Sequence, residues 1–235
     1  MSKFEGRDYL YVVWKSPDNG ARIVIGKLSK NGCYEFIYNE KEISRACKNG
    51  FEPLVAFPEF SKEYKNDEVF PTFSSRLPDK RRKDIQKILQ KYEMDNYDSF
   101  ELLRKSGGKL PTDTLEFIDP ILSDDVHSIV REFYIAGTRY RDLCDSETYP
   151  ECILKIDLVE GEALIVVHDI DNQFDENAIL LLKNSDKREK IGYIPAYFSE
   201  AVLKALKSDR KVTCVVKEFS RENCQECVKV KMVIH

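Results

Sequence analysis

The front of the chain alternates. YLYVV, from Tyr9 to Val13, is β-prone, and Ser16-Pro17-Asp18-Asn19-Gly20 after it is a dense turn signal. Arg22 to Leu28 and Tyr34 to Tyr38 read as further strands, with Lys30-Asn31-Gly32 between them. In the last of these Tyr34, Phe36 and Tyr38 alternate with Glu35 and Ile37, the period of two that sends successive side chains to opposite faces of a sheet. The pattern predicts a small antiparallel sheet. From Lys48 to Ser75 the chain is rich in Pro and Phe without a regular period. Beyond it Ile85, Ile88, Leu89 and Tyr92 recur at helical spacing, with Pro78 and Asp79 placed at a helix start. Ser99 to Lys105 predicts a second short helix, stopped by Gly107-Gly108. Pro111 to Asp125 reads as a link between domains, docked in part through Leu115, Phe117 and Ile118.

The pattern changes from Phe133. FYIAG is a strand candidate, and CILKIDLV and EALIVVH flank Glu160-Gly161 as a predicted hairpin. AILLLK and KIGYI are strands on either side of a turn at Asn184 to Lys187. Pro195 to Lys207 predicts a helix, because Phe198, Val202, Leu203 and Leu206 share a face and proline is tolerated in a first turn. KVTCVVKEF and CVKVKMVI close the chain as a second hairpin. Short strands with one inserted helix predict a small barrel of the OB type. The fold class expected is therefore α+β: a small antiparallel sheet with helices over residues 1–120, then an OB-like β-barrel with an inserted helix over residues 131–235.

Composition narrows the function classes. The 235 residues are 42% apolar, enough for two ordinary cores. The net charge of −4 argues against a protein that coats nucleic acid through many phosphate contacts. Seven cysteines at irregular spacing form no disulfide framework, and Cys224 and Cys227 make a single CxxC where zinc needs two further ligands. These are read as free thiols, with no metal and no cofactor expected. The opening residues carry no basic-then-apolar leader and no apolar run approaches the ~20 residues of a membrane span. A cytoplasmic protein without a membrane partner is expected. Lys80-Arg81-Arg82-Lys83 suits a nucleic-acid backbone or an acidic partner, but Asp84 and Glu93 beside it favour a solvated helix face. No nucleophile, base and orienting group assemble, so no enzymatic activity is expected.

Three short stretches carry chemistry. DNQFDENAILLL, from Asp171 to Leu182, sets two asparagines, two aspartates, a glutamate and a phenylalanine before an apolar run. An ionised Asp175 offers acceptors alone, which suits a ligand hydroxyl and repels a phosphate. Phe174 offers a flat face for a base, and Asn172 and Asn177 offer donors and acceptors together. The same residue types also build ordinary loops, because their side chains bond nearby backbone. Gly137-Thr138-Arg139-Tyr140 ends a strand with a guanidinium, which grips phosphate through two bonds, beside a phenol that stacks; a strand-end ion pair is the other reading. Gly192-Tyr193-Ile194-Pro195 leads a strand into a helix, either as plain punctuation or with first-turn amides facing an anion.

The order GTRY, HDIDNQFDENAI, IGYIPAYFSEAV resembles a HIRAN domain over about residues 131 to 235. The resemblance implies an OB-like fold and binding of the 3′ end of single-stranded DNA through its terminal hydroxyl. It implies that Arg139 and Tyr140 meet phosphate and base, and that Asn172, Phe174 and Asp175 form the end-reading loop with Asp175 accepting from the 3′ hydroxyl. Phe174 stands where helicase members carry tyrosine, Tyr193 where the family has histidine, and Ala196 where some members have lysine. Phe219 lies near a stacking phenylalanine of the family. The front half resembles the N-terminal subdomain of HipA-type toxin kinases, through Phe73, Leu77, Pro78, Asp79, Leu102, Leu103, Gly107 and Gly108. The kinase core that follows in that family has no counterpart in this sequence. Two functions are therefore expected of such a chain: a non-catalytic single-stranded DNA end binder in a prokaryotic or phage setting, or an antitoxin- or adaptor-like module that docks on a toxin kinase, nuclease or helicase.

Overall fold

The computed structural model describes residues 8–111, 114–122, 128–138, 157–220 and 226–235. The chain divides into two compact units, Met1–Pro120 and Ile121–His235.

The front unit is built on strands β1 (Tyr9–Lys15), β2 (Arg22–Asn31), β3 (Cys33–Tyr38), β4 (Tyr64–Asn66) and β5 (Leu115–Ile118), in the order β4-β3-β2-β1-β5. Its neighbours are all antiparallel. The alternation read in the sequence becomes a buried face of Leu10, Val12, Trp14, Ile23, Ile25, Leu28, Phe36 and Tyr38. Onto this face the irregular Pro- and Phe-rich stretch lays Phe51, Phe57, Phe70 and Phe73, all buried. Phe36 is the hub, with the rings of Tyr38, Phe57, Tyr64 and Phe73 at 4.6 to 6.5 Å. Gly26 faces this hub across the β2–β3 pair. A Cβ there would stand 2.6 Å from the Ile37 carbonyl and 2.7 Å from the Phe36 ring, so only glycine fits. The Tyr38 hydroxyl serves the irregular backbone directly: it accepts from Leu54 N and donates to Phe57 O, both at 2.9 Å. Burial pushes this phenol up to about 12.

Three features of the front unit differ from the sequence expectation. Helix α1 (Glu40–Lys48) follows β3, where no helix was predicted. It buries only Ile43 and Ala46, too few to mark a period. After α2 (Pro71–Ser74), helix α3 runs Ile85–Lys91 and does not begin at Pro78-Asp79. The Asp79 carboxylate accepts from the Arg81 amide at 2.8 Å, an alternative to helical pairing, and also takes the Arg81 guanidinium, while Asp84 takes Arg82 through two bonds of 2.9 Å. Half of the basic run is thus neutralised by its own neighbours. The predicted link is, in its middle, strand β5, paired with β1 from Tyr11↔Ile118 to Trp14↔Leu115. Glu116 on it is buried, held by Arg22 at 2.8 Å and Lys109 at 2.6 Å.

Helix α4 (Ser99–Ser106) carries its start signal in Asp98, whose carboxylate accepts from the Phe100 and Glu101 amides at 2.8 and 3.0 Å. It ends at Gly107, with φ +73°. Burial alone would raise the Asp98 pKa, but the Glu101 amide and the Lys30 ammonium outweigh it and hold the group below its ordinary value. Asp98→Ala is expected to cost about 1 kcal/mol at neutral pH, the usual worth of such a cap. A depressed carboxyl stabilises above its unfolded pKa of about 3.9 and loses that contribution as pH falls through the folded value. The gap between the two proteins in urea unfolding should therefore be full at pH 7 and close on acidification below pH 4.

The rear unit comprises β6 (Ile129–Tyr134), β7 (Ala163–His168), β8 (Ile179–Lys183), β9 (Lys190–Tyr193), α5 (Ala196–Lys207), β10 (Val212–Phe219) and β11 (Val228–Ile234). The sheet order is β6-β11-β10-β7-β8-β9, antiparallel throughout. It closes on itself just past β6, where Ala136 and Tyr193 exchange backbone bonds of 2.8 Å in both directions. The result is an OB-like barrel. Its lining includes Val228, Val230, Met232 and Ile234 from alternate positions of β11. Phe198, Val202 and Leu203 bury the apolar face of α5, with Phe198 against Phe133 at 5.5 Å. In the predicted CILKIDLV–EALIVVH hairpin, Cys152 to Ile156 lie outside the described residues; Asp157 to Val159 carry no strand, and β7 pairs with β8 and β10. Cys214 and Cys227 are buried, and burial pushes the Cys214 thiol up to about 12. Among the described residues no helix is long and apolar enough to cross a membrane.

Candidate nucleic-acid interface

The connection from β7 to β8 consists of three turns sharing corners. Asn172 N bonds Asp169 O at 3.1 Å, and Ala178 N bonds Asp175 O at 3.0 Å. Between them the Asn172 side-chain oxygen accepts from the amides of Phe174 and Asp175 at 3.0 and 3.1 Å. The corners are Asp169, Asn172, Asp175 and Ala178, and the polar corner side chains are bonded locally. Asn172 Nδ2 donates to Asp169 Oδ2 at 3.2 Å, and Asp175 Oδ1 accepts from Asn177 N at 2.9 Å. His168 Nε2 meets the Glu176 carbonyl at 2.8 Å, and Asp169 N bonds Ala178 O at the loop's base. Much of the loop's polarity thus serves to fold it. The tips of two of the turns are apolar and exposed: Ile170 at 78% and Phe174 at 98%. The Asp175 carboxylate is half-buried, and among the described residues its second oxygen takes no hydrogen bond.

Tyr193 joins this loop to the barrel. Its hydroxyl donates to Asp169 Oδ2 at 2.6 Å, and its backbone closes the sheet with Ala136. Its ring lies where a Cβ on Gly137 would come within 3.1 Å. Gly137 has φ +79°, so glycine is required there by both backbone and space. Asp169, Asn172, Asp175 and Tyr193 therefore converge through successive hydrogen bonds.

Strand register sets a wider row. Phe219 pairs with Val228, whose carbonyl accepts from Ile135 N at 3.0 Å; Ala136 pairs with Tyr193, Tyr193 with Leu180 and Leu180 with Val167. These residues lie abreast on consecutive strands, crossing the barrel wall from Phe219 to the foot of the loop. Phe219 is half-buried and paired with the fully buried Val228. Ala196 is exposed at the start of α5. Arg139 and Tyr140 lie outside the described residues; Thr138, next to them, is buried. Among the described residues no group of three His, Cys, Asp or Glu side chains is placed to hold a metal ion. Sequence reasoning passed over Asp169 as an anchor and Ile170 as an exposed tip. The signal was present: Asp169, Asn172 and Asp175 recur every three residues, the spacing of turns that share corners.

Residues 130–233 match the family model of the HIRAN domain, and residues 21–111 match that of the HipA N-terminal domain. No curated protein matches the chain closely enough to count as a relative. Among solved structures, the HIRAN domain of human HLTF is 18% identical over 46% of this chain and 78% of that one, with a TM-score of 0.33. A protein from Lactobacillus plantarum is 17% identical over 46% of this chain and 100% of that one, with a TM-score of 0.32. Each half of the chain thus matches one family model, the rear half that of the HIRAN domain and the front half that of the HipA N-terminal domain.

Proposed function

We propose that the rear barrel is a non-catalytic module that binds single-stranded DNA at a 3′-hydroxyl end. The observation that carries this reading is the pairing of an almost fully exposed ring, Phe174, with a carboxylate in the next residue that keeps an oxygen available. A base stacks on the ring, and the terminal sugar hydroxyl donates to Asp175. Asn172 holds the turn that presents both. Arg139 and Tyr140, which follow shortly after the closing pair at Ala136, supply a phosphate contact and a second stacking face, and Phe219 marks the far end of the row. The net charge of −4 suits an end reader, which needs one small pocket, better than a protein that coats strands. The resemblance to domains found alone in bacteria and phages supports a prokaryotic, cytoplasmic setting.

The test is a titration of labelled short strands that differ only at the 3′ terminus. A hydroxyl end should bind at least about tenfold more tightly than a phosphate end, as expected for one hydrogen bond to a charged acceptor replaced by repulsion. Asp175→Asn keeps an acceptor for the Asn177 amide and removes the charge, so it should erase most of that preference. Equal binding of the two ends by the unaltered protein would rule the reading out.

The match of residues 21–111 to the HipA N-terminal domain supports a second role for the front unit: docking on a HipA-type kinase core or another protein partner. Asp175→Ala separates the two, since it should abolish end binding and leave partner binding intact.

A further inference from the structure

Tyr193 stands at the junction of two segments that the proposed function uses: its ring covers Gly137, on the way to Arg139, and its hydroxyl reaches Asp169, the first corner of the loop. The bond of 2.6 Å is short and charge-assisted, among the stronger kinds. Asp169 Oδ2 in turn accepts from Asn172 Nδ2, and Asn172 Oδ1 holds the amides of Phe174 and Asp175. A continuous chain of bonds therefore runs from the barrel's closing pair to the two residues that would meet the ligand. With its hydroxyl engaged by Asp169, Tyr193 acts through the loop. We propose that Tyr193 is a positioning residue: through Asp169 and Asn172 it fixes the turn that carries Phe174 and Asp175, and so sets how sharply a hydroxyl end is told from a phosphate end. This role deepens the end-binding reading and rests on it for the discrimination it predicts.

Tyr193→Phe keeps the ring against Gly137 and the backbone pair with Ala136, and removes only the hydroxyl. Two readouts on the full chain test it. Without DNA, amide hydrogen exchange at Phe174 and Asp175 should quicken on the order of tenfold, the opening expected when one anchoring bond is lost. With DNA, the affinity ratio between hydroxyl- and phosphate-ended strands should fall by a similar factor. Asp169→Ala should do the same, and Tyr193→Phe added to it should change neither readout further, because the two side chains act as one unit. A role of Tyr193 in ring packing alone would leave both readouts where they were. Unchanged exchange in Tyr193→Phe, or full additivity with Asp169→Ala, overturns the proposal. If exchange quickens but the unaltered protein shows no preference for either end, the positioning role of Tyr193 stands and the end-binding function falls.

Discussion

Phe174→Ala is expected to weaken binding of a short single strand roughly 5- to 160-fold, the range that follows from about 1–3 kcal/mol per stacked base. It should do so without altering the melting temperature measurably. The ring is 98% exposed, so its removal opens no cavity. The bond from the Phe174 amide to the Asn172 side-chain oxygen uses only the main chain of residue 174 and survives the substitution. This separation of effects is unusual for a large aromatic, whose loss from a core costs several kcal/mol of stability. The measurement is fluorescence anisotropy with a labelled oligonucleotide of a few residues, paired with a thermal melt of the same preparation. A loss of affinity accompanied by an equal loss of stability would mean that the ring packs against the fold and does not serve as a platform. Because the contact is stacking and not charge, the fold-loss should also hold nearly constant as salt is raised.

Phe36→Ala should have the opposite profile. Phe36 is fully buried and meets four other rings, the closest at 4.6 Å. Removing it costs about 3–5 kcal/mol by the record of buried aromatic truncations, a large share of the ~5–15 kcal/mol that holds an ordinary domain together. The sheet cannot collapse to fill the space. The Phe57 and Phe73 rings on the other side are fixed by their own partners Phe70 and Phe117, and Gly26 is held at its distance by the backbone of β3. The expected result in calorimetry of the full chain is a transition lowered by more than about 10 °C, since ~1 kcal/mol shifts the midpoint of a domain of this size by ~4–8 °C. A shift of only a degree or two would show that the aromatic cluster repacks freely.

The sequence spoke most clearly where burial follows a period. The alternation in β3, the strand runs of β1, β2 and β11, the stripe on α5, and the Gly107 signal that stops α4 all mark elements whose one face is buried. It was silent where burial comes from irregular chain. Phe51, Phe57, Phe70 and Phe73 enter the front core from loops and short turns, and no period can announce that. Strand β5 sits among prolines and aspartates that resemble a linker, and only pairing with β1 across a hundred residues of chain makes it a strand. The start of α3 was misplaced because Asp79 and Asp84 spend their carboxylates on Arg81 and Arg82, a local competition that hydrophobic spacing does not reveal. In the loop from Asp169 to Ala178, residue types pointed to polar chemistry. What they did not disclose was the division of labour, in which Asp169 and Asn172 brace the backbone while Ile170 and Phe174 are left outside.

That division has a consequence for design. A connection whose corners do the bracing and whose tips stand exposed is a mount with exchangeable heads. Positions 170, 173, 174 and 176 are exposed, and the side-chain bonds that shape the loop come from the corners and from Tyr193 and His168 at its base. A library that varies those four residues and leaves the corners alone would sample new molecular preferences on an unaltered barrel.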